Sequence, residues 1–498
     1  MTSNLFDAPD GALRTRVGRG AAVTGLAQGV RMGTQILSVI VLSRLLSPED
    51  FGVAAMCAPV LAFLSMFQDL GLSQATIQRR SITHEEVNYL FWINVACGAA
   101  LACFLYAVAP LVAAFYDDGR VGSLVAASSL QIVVSSLGVQ HSALLNRRME
   151  FGRLAVVDIA YAVASLGACI AWALVDSSFW ALYAGALTGA LVSTTLLWTF
   201  SGWRPGFWAN AAGAHGLLRF GAGITGFNLA NFFARNADNV LIGKYWGGGE
   251  LGLYDRAYKL LLFPLSQITN PLAKVMIPTL SRMQDEPGRY RHAFLRVMRW
   301  VLLATLPGVA FAVASADTLI PVLMGEKWRQ SSVIFQALGF AALVQPLNNP
   351  SGWLFISQGR TGDYMRWGIL TAVTSVLAFL IGLPYGALGV AVCYAASEYL
   401  RTPFLWLYVG RKGPLRTGDV LGSLAPFVLG AHLALAALWL CRPLTAEAGL
   451  LGYASALVLS YVITLAIALI FPSSRHVVRD GLEILKSRAL PLAEAKRM

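Results

Sequence analysis

Apolar runs of about twenty residues recur along the whole chain, separated by brief polar stretches rich in Arg, Asp, Glu, Gly and Pro. Each run approaches the ~20 residues that an α-helix needs to cross ~30 Å of hydrocarbon. In lipid, every backbone N–H and C=O must be satisfied within its own segment, so these runs are expected to be helices. The pattern predicts about fourteen spans with both chain ends on one side. They begin with Gly20–Leu46, Phe51–Leu72, Val87–Val112, Val121–Leu145, Leu154–Val175 and Phe179–Phe200. After a polar loop around Arg204–Arg219 come Gly221–Trp246, Leu251–Leu280, Phe294–Ala314, Val333–Ile356, Met365–Leu383 and Gly386–Val409. Val420–Leu440 and Gly449–Phe471 close the series ahead of a basic tail.

The pattern repeats. Shifting the chain by about 200 residues lays Arg44-Leu45-Leu46-Ser47-Pro48-Glu49-Asp50-Phe51-Gly52-Val53 on Lys244-Tyr245-Trp246-Gly247-Gly248-Gly249-Glu250-Leu251-Gly252-Leu253. Base meets base, acid meets acid and glycine meets glycine. Thr83-His84-Glu85-Glu86 falls on Met283-Gln284-Asp285-Glu286 in the same register. An even number of spans per copy lets both copies enter from the same side. The expected architecture is therefore all-α and integral to the membrane, with two pseudo-symmetric six-helix lobes around a central cavity. The division reads as residues 1–200, a loop at 201–220, a second lobe at 221–410, and two extra helices with a tail at 411–498.

Composition agrees. The chain is 498 residues long, 56% hydrophobic and only 13% charged, with a mean hydropathy of +0.61. Soluble domains carry about a quarter charged residues. The net charge of +12 would suit nucleic acid, but its placement argues against that partner. Of the 38 Lys and Arg residues, the connections on one side hold only Arg44, Arg120, Lys244, Lys327, Arg329 and Arg442. The excess on the other side follows the positive-inside rule and places both termini in the cytoplasm, with the spans in a bacterial-type inner membrane. No cleavable leader is visible near the start. The cysteines stand singly in or beside apolar runs and read as packing residues, not as a metal site or disulfide framework.

Candidate chemistry lies inside the spans. Thr24, Gln28, Arg31, Gln35 and Ser38 share one face of the first helix, and Thr225, Asn228, Asn231, Arg235 and Asp238 share one face of the seventh. A charge at mid-membrane costs ~2.5–3.5 kcal/mol even on the lenient insertion scale, so these faces should border a wet cavity. Interhelical bonding, with Arg235 and Asp238 neutralising each other, is the competing structural role. Arg31, Arg235, Lys259 and Arg401 would make an electropositive chamber for a phosphate-bearing substrate, with Asn348 as a further polar contributor. Asp158, Asp238 and Glu398 are suited to carry a coupling proton or sodium ion. Asp69, Asp255 and Arg256 read as interfacial, snorkelling residues. Gly25, Gly29 and Gly33 have the spacing of a close helix contact. Pro264, Pro271 and Pro278, and the stretch Gln345-Pro346-Leu347-Asn348-Asn349-Pro350, are expected to interrupt their helices. Gly221-Ala222-Gly223-Ile224-Thr225-Gly226 fits a dinucleotide fingerprint in letters alone, since it opens a membrane helix and follows no strand. No phosphate-binding loop for ATP, no H-E-x-x-H and no nucleophile motif is present. Neither an enzyme nor a cofactor is expected.

Arg19-Gly20-Ala21-Ala22, the run Val41-Leu42-Ser43-Arg44-Leu45-Leu46-Ser47-Pro48-Glu49-Asp50-Phe51-Gly52, and the echoes Asn239-Val240-Leu241-Ile242-Gly243 and Leu251-Gly252-Leu253-Tyr254 carry a resemblance. Over nearly its whole length the chain resembles Wzx-type polysaccharide-repeat flippases of the multidrug/oligosaccharidyl-lipid/polysaccharide exporter superfamily. The resemblance implies undecaprenyl-diphosphate-linked oligosaccharide as cargo, moved from the cytoplasmic to the periplasmic leaflet for polymerisation. An exopolysaccharide of the xanthan kind would fit, with the polysaccharide polymerase and export machinery as partners. A drug or cation antiporter of the same superfamily should have a more acidic cavity. A membrane polymerase or ligase should have a large extramembrane loop, and none is present. A non-catalytic scaffold would leave the charged stripes without a reason.

Overall fold

Polar caps at the ends of the apolar runs decide where the helices start. Ser47 opens α2 (Pro48–Gln68): its hydroxyl accepts the Asp50 N–H, and the Asp50 carboxylate accepts the Ser47 N–H at 2.9 Å. Thr83 and Glu86 cap α4 (His84–Tyr116) in the same reciprocal way. Such boxes satisfy donors that every helix leaves open at its start. In this computed structural model, residues 13–69, 71–79, 82–207, 215–442 and 449–476 are described, with side chains except at 13–24, 26, 27, 78, 215–235 and 450. Every regular element among the described residues is helical. The remaining helices up to the middle of the chain are α1 (Leu13–Leu45), α3 (Leu72–Gln78), α5 (Gly119–Ser136), α6 (Val139–Arg147), α7 (Phe151–Val175), α8 (Trp180–Ser201) and α9 (His215–Ser281). Then follow α10 (Pro287–Ala314), α11 (Ala316–Met324), α12 (Ser331–Ala342), α13 (Gln345–Asn348), α14 (Ser351–Ser357), α15 (Thr361–Gly382), α16 (Gly386–Gly410), α17 (Thr417–Ser423), α18 (Ala425–Leu440) and α19 (Gly449–Ile470).

Ten segments among the described residues are long and apolar enough to cross a membrane. One of them, Thr361–Gly410, contains both α15 and α16, with a reversal between them at Leu383–Tyr385. Another, Asn236–Ser281, is the part of α9 described with side chains, and the helix kinks at Gly247 (φ 77°, ψ −177°). The expected span at 333–356 is a chain of three short helices, α12 to α14, broken where the Pro-Asn sequence removes donors. Pro264, Pro271 and Pro278 behave differently from expectation. They lie inside α9 without non-helical backbone, and glycine, not proline, makes the bend. The prolines recur every seven residues, on one face, where the freed carbonyls share one side of the helix.

The helices form two compact units. The first runs through Asp255 and includes Leu323–Lys327; the second holds Arg256–Val322 and Trp328 onward. In the first, α4 packs on α5, α7 on α8, α1 on α7 and α2 on α5. Small residues set these distances: a Cβ on Gly98 would lie 2.5 Å from the Ser136 Cβ, and one on Gly185 would lie 2.7 Å from the Ser165 carbonyl. The tightest approach joins α2 to α9 just beyond its kink. A Cβ on Gly52 would lie 1.7 Å from the Gly248 carbonyl oxygen, and one on Gly252 would lie 1.8 Å from that of Pro48. Positions 48 and 52 meet positions 252 and 248, so the contact is reciprocal under the sequence repeat. By contrast, Gly25, Gly29 and Gly33 have nothing within 4 Å of an added Cβ among the described residues. The expected close contact on that face of α1 is absent there.

Charges fasten the same end of this unit. Lys327 Nζ donates to the Arg44 carbonyl at 3.1 Å, where the α1 dipole favours a cation. Arg120 bridges Glu49 (2.7 Å) and Asp118 (2.8 Å). The Arg120 guanidinium beside Asp118 holds that carboxyl below its usual value. At the opposite end, Trp203 is buried and donates to His84 Nδ1 at 3.0 Å, packing with Phe91 and His141. In the second unit α10 is the core helix, with Leu302, Leu306, Ala310 and Val313 fully buried against α18, α19 and α12.

Candidate functional site

On α1, Gln28, Arg31 and Gln35 are all exposed, as one polar face should be. Arg31 stands about 20 Å along the helix from its C-terminal end, by the 1.5 Å rise per residue. Its Nη1 lies 3.6 Å from Asp158 Oδ2 on α7, and the two side chains remain 54% and 57% exposed. The pair is loose and open. Both residues are expected from the sequence, one as an anion holder and one as an ion carrier, but their pairing is not. They are more than a hundred positions apart, and no local spacing encodes that contact.

Asp238 on α9 is 6% exposed. Its carboxylate accepts the Tyr254 hydroxyl at 3.0 Å across the Gly247 kink and the Asn239 N–H at 2.9 Å. The tyrosine is a partner that the polar-stripe reading misses. A stripe follows one straight helix, whereas this bond spans a bend. Asn228, Asn231 and Arg235 lie on the same helix, and their side chains fall outside the described residues. Asp69 caps the end of α2 and accepts the Ser73 N–H at 2.9 Å. Asp255, expected to snorkel, is 4% exposed and buried. Lys259 is exposed on the second half of α9.

In the second unit, Arg401 of α16 is 7% exposed. It pairs with Glu398 one turn earlier and donates to Thr374 Oγ1 (2.8 Å), Ser375 Oγ (2.7 Å) and the Thr371 carbonyl (3.2 Å) on α15. This is a satisfied internal ion pair, not an open cation, so Arg401 corrects the expected chamber. The i,i+3 spacing of Glu398 and Arg401 is the signal that could have identified it. Asn348, 8% exposed, donates to Thr402 Oγ1 at 2.7 Å and accepts from Trp406 Nε1 at 3.3 Å. It bonds the broken segment to α16.

These features define a polytopic helical membrane protein whose first unit holds an exposed arginine–carboxylate pair while the second buries one. Residues 41–333 match the family described as polysaccharide biosynthesis protein. The chain is 25% identical over 398 residues to the lipopolysaccharide biosynthesis protein WzxC of Escherichia coli (strain K12), covering 78% of this chain and 80% of that one. It is 28% identical over 362 residues to the succinoglycan biosynthesis transport protein ExoT of Rhizobium meliloti (strain 1021), covering 72% of each. Its fold matches a solved structure of the lipid II flippase MurJ in an inward closed conformation. The TM-score is 0.70 at 12% identity, over 91% of this chain and 98% of that one. The chain belongs to the polysaccharide biosynthesis protein family.

Proposed function

We propose that this protein flips undecaprenyl-diphosphate-linked oligosaccharide repeat units from the cytoplasmic to the periplasmic leaflet by alternating access. The observation that carries the reading is the open Arg31–Asp158 pair, which joins the middle of α1 to α7. An arginine inside the bilayer is costly unless it serves a polar path, and its planar fork suits bidentate contact with a diphosphate. Substrate phosphate would displace Asp158 from Arg31, with Arg235 and Lys259 as further cations on the path. Gln28, Gln35, Asn228 and Asn231 would line it. Arg401 and Glu398 would hold α15 to α16 while that happens, and Asn348 would hold the broken segment to α16. The repeats at 1–200 and 221–410 would be the moving lobes. Asp158, freed when phosphate takes its partner, and Asp238 are the groups proposed to carry a coupling proton or sodium ion.

The match to a polysaccharide biosynthesis family supports this reading over a drug antiporter of similar fold. The name of the succinoglycan transport relative, together with the short polar stretches between apolar runs, supports a transporter over a polymerase or ligase. The protein would sit in the inner membrane with both termini cytoplasmic, beside a polymerase and export machinery. Deleting the gene tests this directly. Cells should stop secreting polymer and accumulate a lipid-linked oligosaccharide in the cytoplasmic leaflet. Undiminished secretion would overturn the reading.

A further inference from the structure

A cavity of about 360 Å³ opens at the end of the first unit where α2, α3, α5, α6 and α8 converge. Its polar lining is Asp69, Ser73, Gln74, Ser135, Ser142 and Asn146. Connections at the same end carry Arg79, Arg148, Arg153 and Arg204, so the sidedness of the charges assigns the cavity to the cytoplasmic, loading end. None of the residues assigned to the phosphate path lines it.

The polar groups around the cavity fall into two sets. Behind its wall is a closed network: Thr76 Oγ1 donates to Gln140 Oε1 (2.8 Å), Gln140 Nε2 to Asn94 Oδ1 (2.8 Å), Asn94 Nδ2 to the Gln68 carbonyl (3.2 Å) and Gln68 Nε2 to the Ile132 carbonyl (3.1 Å). Arg147 fixes α3 by donating to the Thr76 carbonyl at 2.9 Å. Those side chains are satisfied. Gln74, Ser135, Ser142 and Asn146, which face the cavity, make no side-chain hydrogen bond among the described residues. Asp69 accepts from Ser73 alone, which leaves lone pairs free on its carboxylate. Two amides, two hydroxyls and a carboxylate are thus held ready on a frame rigidified by bonded neighbours. Gln74 is exposed and Ser135, Ser142 and Asn146 are part-exposed, so a polar ligand entering the cavity can take the hydrogen bonds that these groups otherwise make to water.

We infer that this cavity binds a neutral sugar ring of the transported glycan at the loading end. No described cation lines it, so phosphate is not its ligand. Carboxylate, amide and hydroxyl groups together accept from and donate to a ring of hydroxyls. The volume lies at the low end of ligand pockets, which suits a single sugar better than a repeat unit. Leu197, Ile77, Val139 and Ala143 supply the apolar wall for a ring face. Gly138 lets this wall pack closely on α8, since a Cβ there would come within 3.1 Å of Leu197. The inference rests on the flippase reading and adds sugar selection to it, at a place separate from Arg31.

The test uses full-length protein in lipid nanodiscs, titrated with methyl glucoside, methyl galactoside and methyl mannoside. Undecaprenyl phosphate and sodium chloride against potassium chloride serve as separate probes. At least one glycoside should bind the wild type, and Ser142→Ala with Asn146→Ala should weaken it about tenfold or more. Because neither side chain bonds within the protein, the thermal midpoint and undecaprenyl phosphate binding should stay unchanged. Absence of glycoside binding, or equal binding by the double variant, would overturn the inference. So would a sodium response abolished by Asp69→Asn without any glycoside binding, which makes the cavity a cation site. Failure of the flippase reading is separately visible, as undecaprenyl phosphate binding indifferent to Arg31→Ala.

Discussion

Two arginine–carboxylate pairs lie within long helices, and their surroundings give them opposite consequences. Arg31 and Asp158 are more than half exposed and 3.6 Å apart. An ion pair this open contributes ~0–1 kcal/mol, so Arg31→Ala should leave membrane abundance near wild type. Polymer export should nevertheless fall to background, and Arg31→Lys should restore only part of it. Exchanging the partners, Arg31→Asp with Asp158→Arg, separates the two possible roles. A purely structural pair would recover export in the exchanged protein, and that recovery would defeat the phosphate-holding role. The side chains of Arg401 and Glu398 are 8% and 13% exposed. Removing Arg401 alone leaves a buried carboxylate without its cation, at a cost of about 3–5 kcal/mol. Arg401→Met should lower the thermal midpoint and membrane abundance sharply, while adding Glu398→Met should restore most of both. Loss of export with unchanged abundance in Arg401→Met would return this residue to the substrate path.

The helices show why some elements can be read from the sequence and others cannot. A long apolar run between polar caps forces a helix, and α4, α7, α8 and α16 lie within a few residues of their expected bounds. Bends depend on which backbone positions tolerate strain. Gly247 takes a positive φ that a residue with a side chain would resist, whereas the α9 prolines fit a helix whose lost bonds face one way. Glycine spacing alone does not reveal contact either: Gly25, Gly29 and Gly33 repeat regularly and touch nothing described, whereas Gly52 and Gly252 touch backbone. These two classes should respond oppositely. Gly25→Ala should be neutral or gain up to ~1 kcal/mol of helix propensity. Gly52→Ala must push apart α2 and α9 and should cost about 1–3 kcal/mol, with Gly252→Ala costing a similar amount. Thermal melts of the purified variants check this, and an unperturbed Gly52→Ala protein would mean that the crossing is not held closed.

For the whole molecule, one preserved letter of the repeat falls at a close crossing: Gly52 meets the Gly248 backbone, and its counterpart Gly252 meets that of Pro48. The placement of the compact units was less legible. The sequence puts a loop at 201–220, but contacts divide the chain at Asp255, since Gly243 nests against Tyr116 and Met56 in the first unit. Long-range partners such as Asp158 for Arg31 leave no trace in a single sequence, because packing alone brings them together. Sidedness, in contrast, is written in composition, and it can be tested without knowing the cargo. Arg79, Arg148, Arg153 and Arg204 stand at the helix ends opposite those bearing Arg44, Arg120 and Lys244. Membrane insertion retains the more basic connections inside. In a variant cleared of native cysteines, probes placed at Ser3 and at Ser487 should therefore react with an impermeant maleimide only after the membrane is opened. A probe at Asp117, in the α4–α5 turn, should react in intact spheroplasts. Labelling at Ser3 from outside would reverse the orientation, and with it the assignment of the sugar cavity to the loading end, because Asn146 and the start of α1 lie on the same side by helix count.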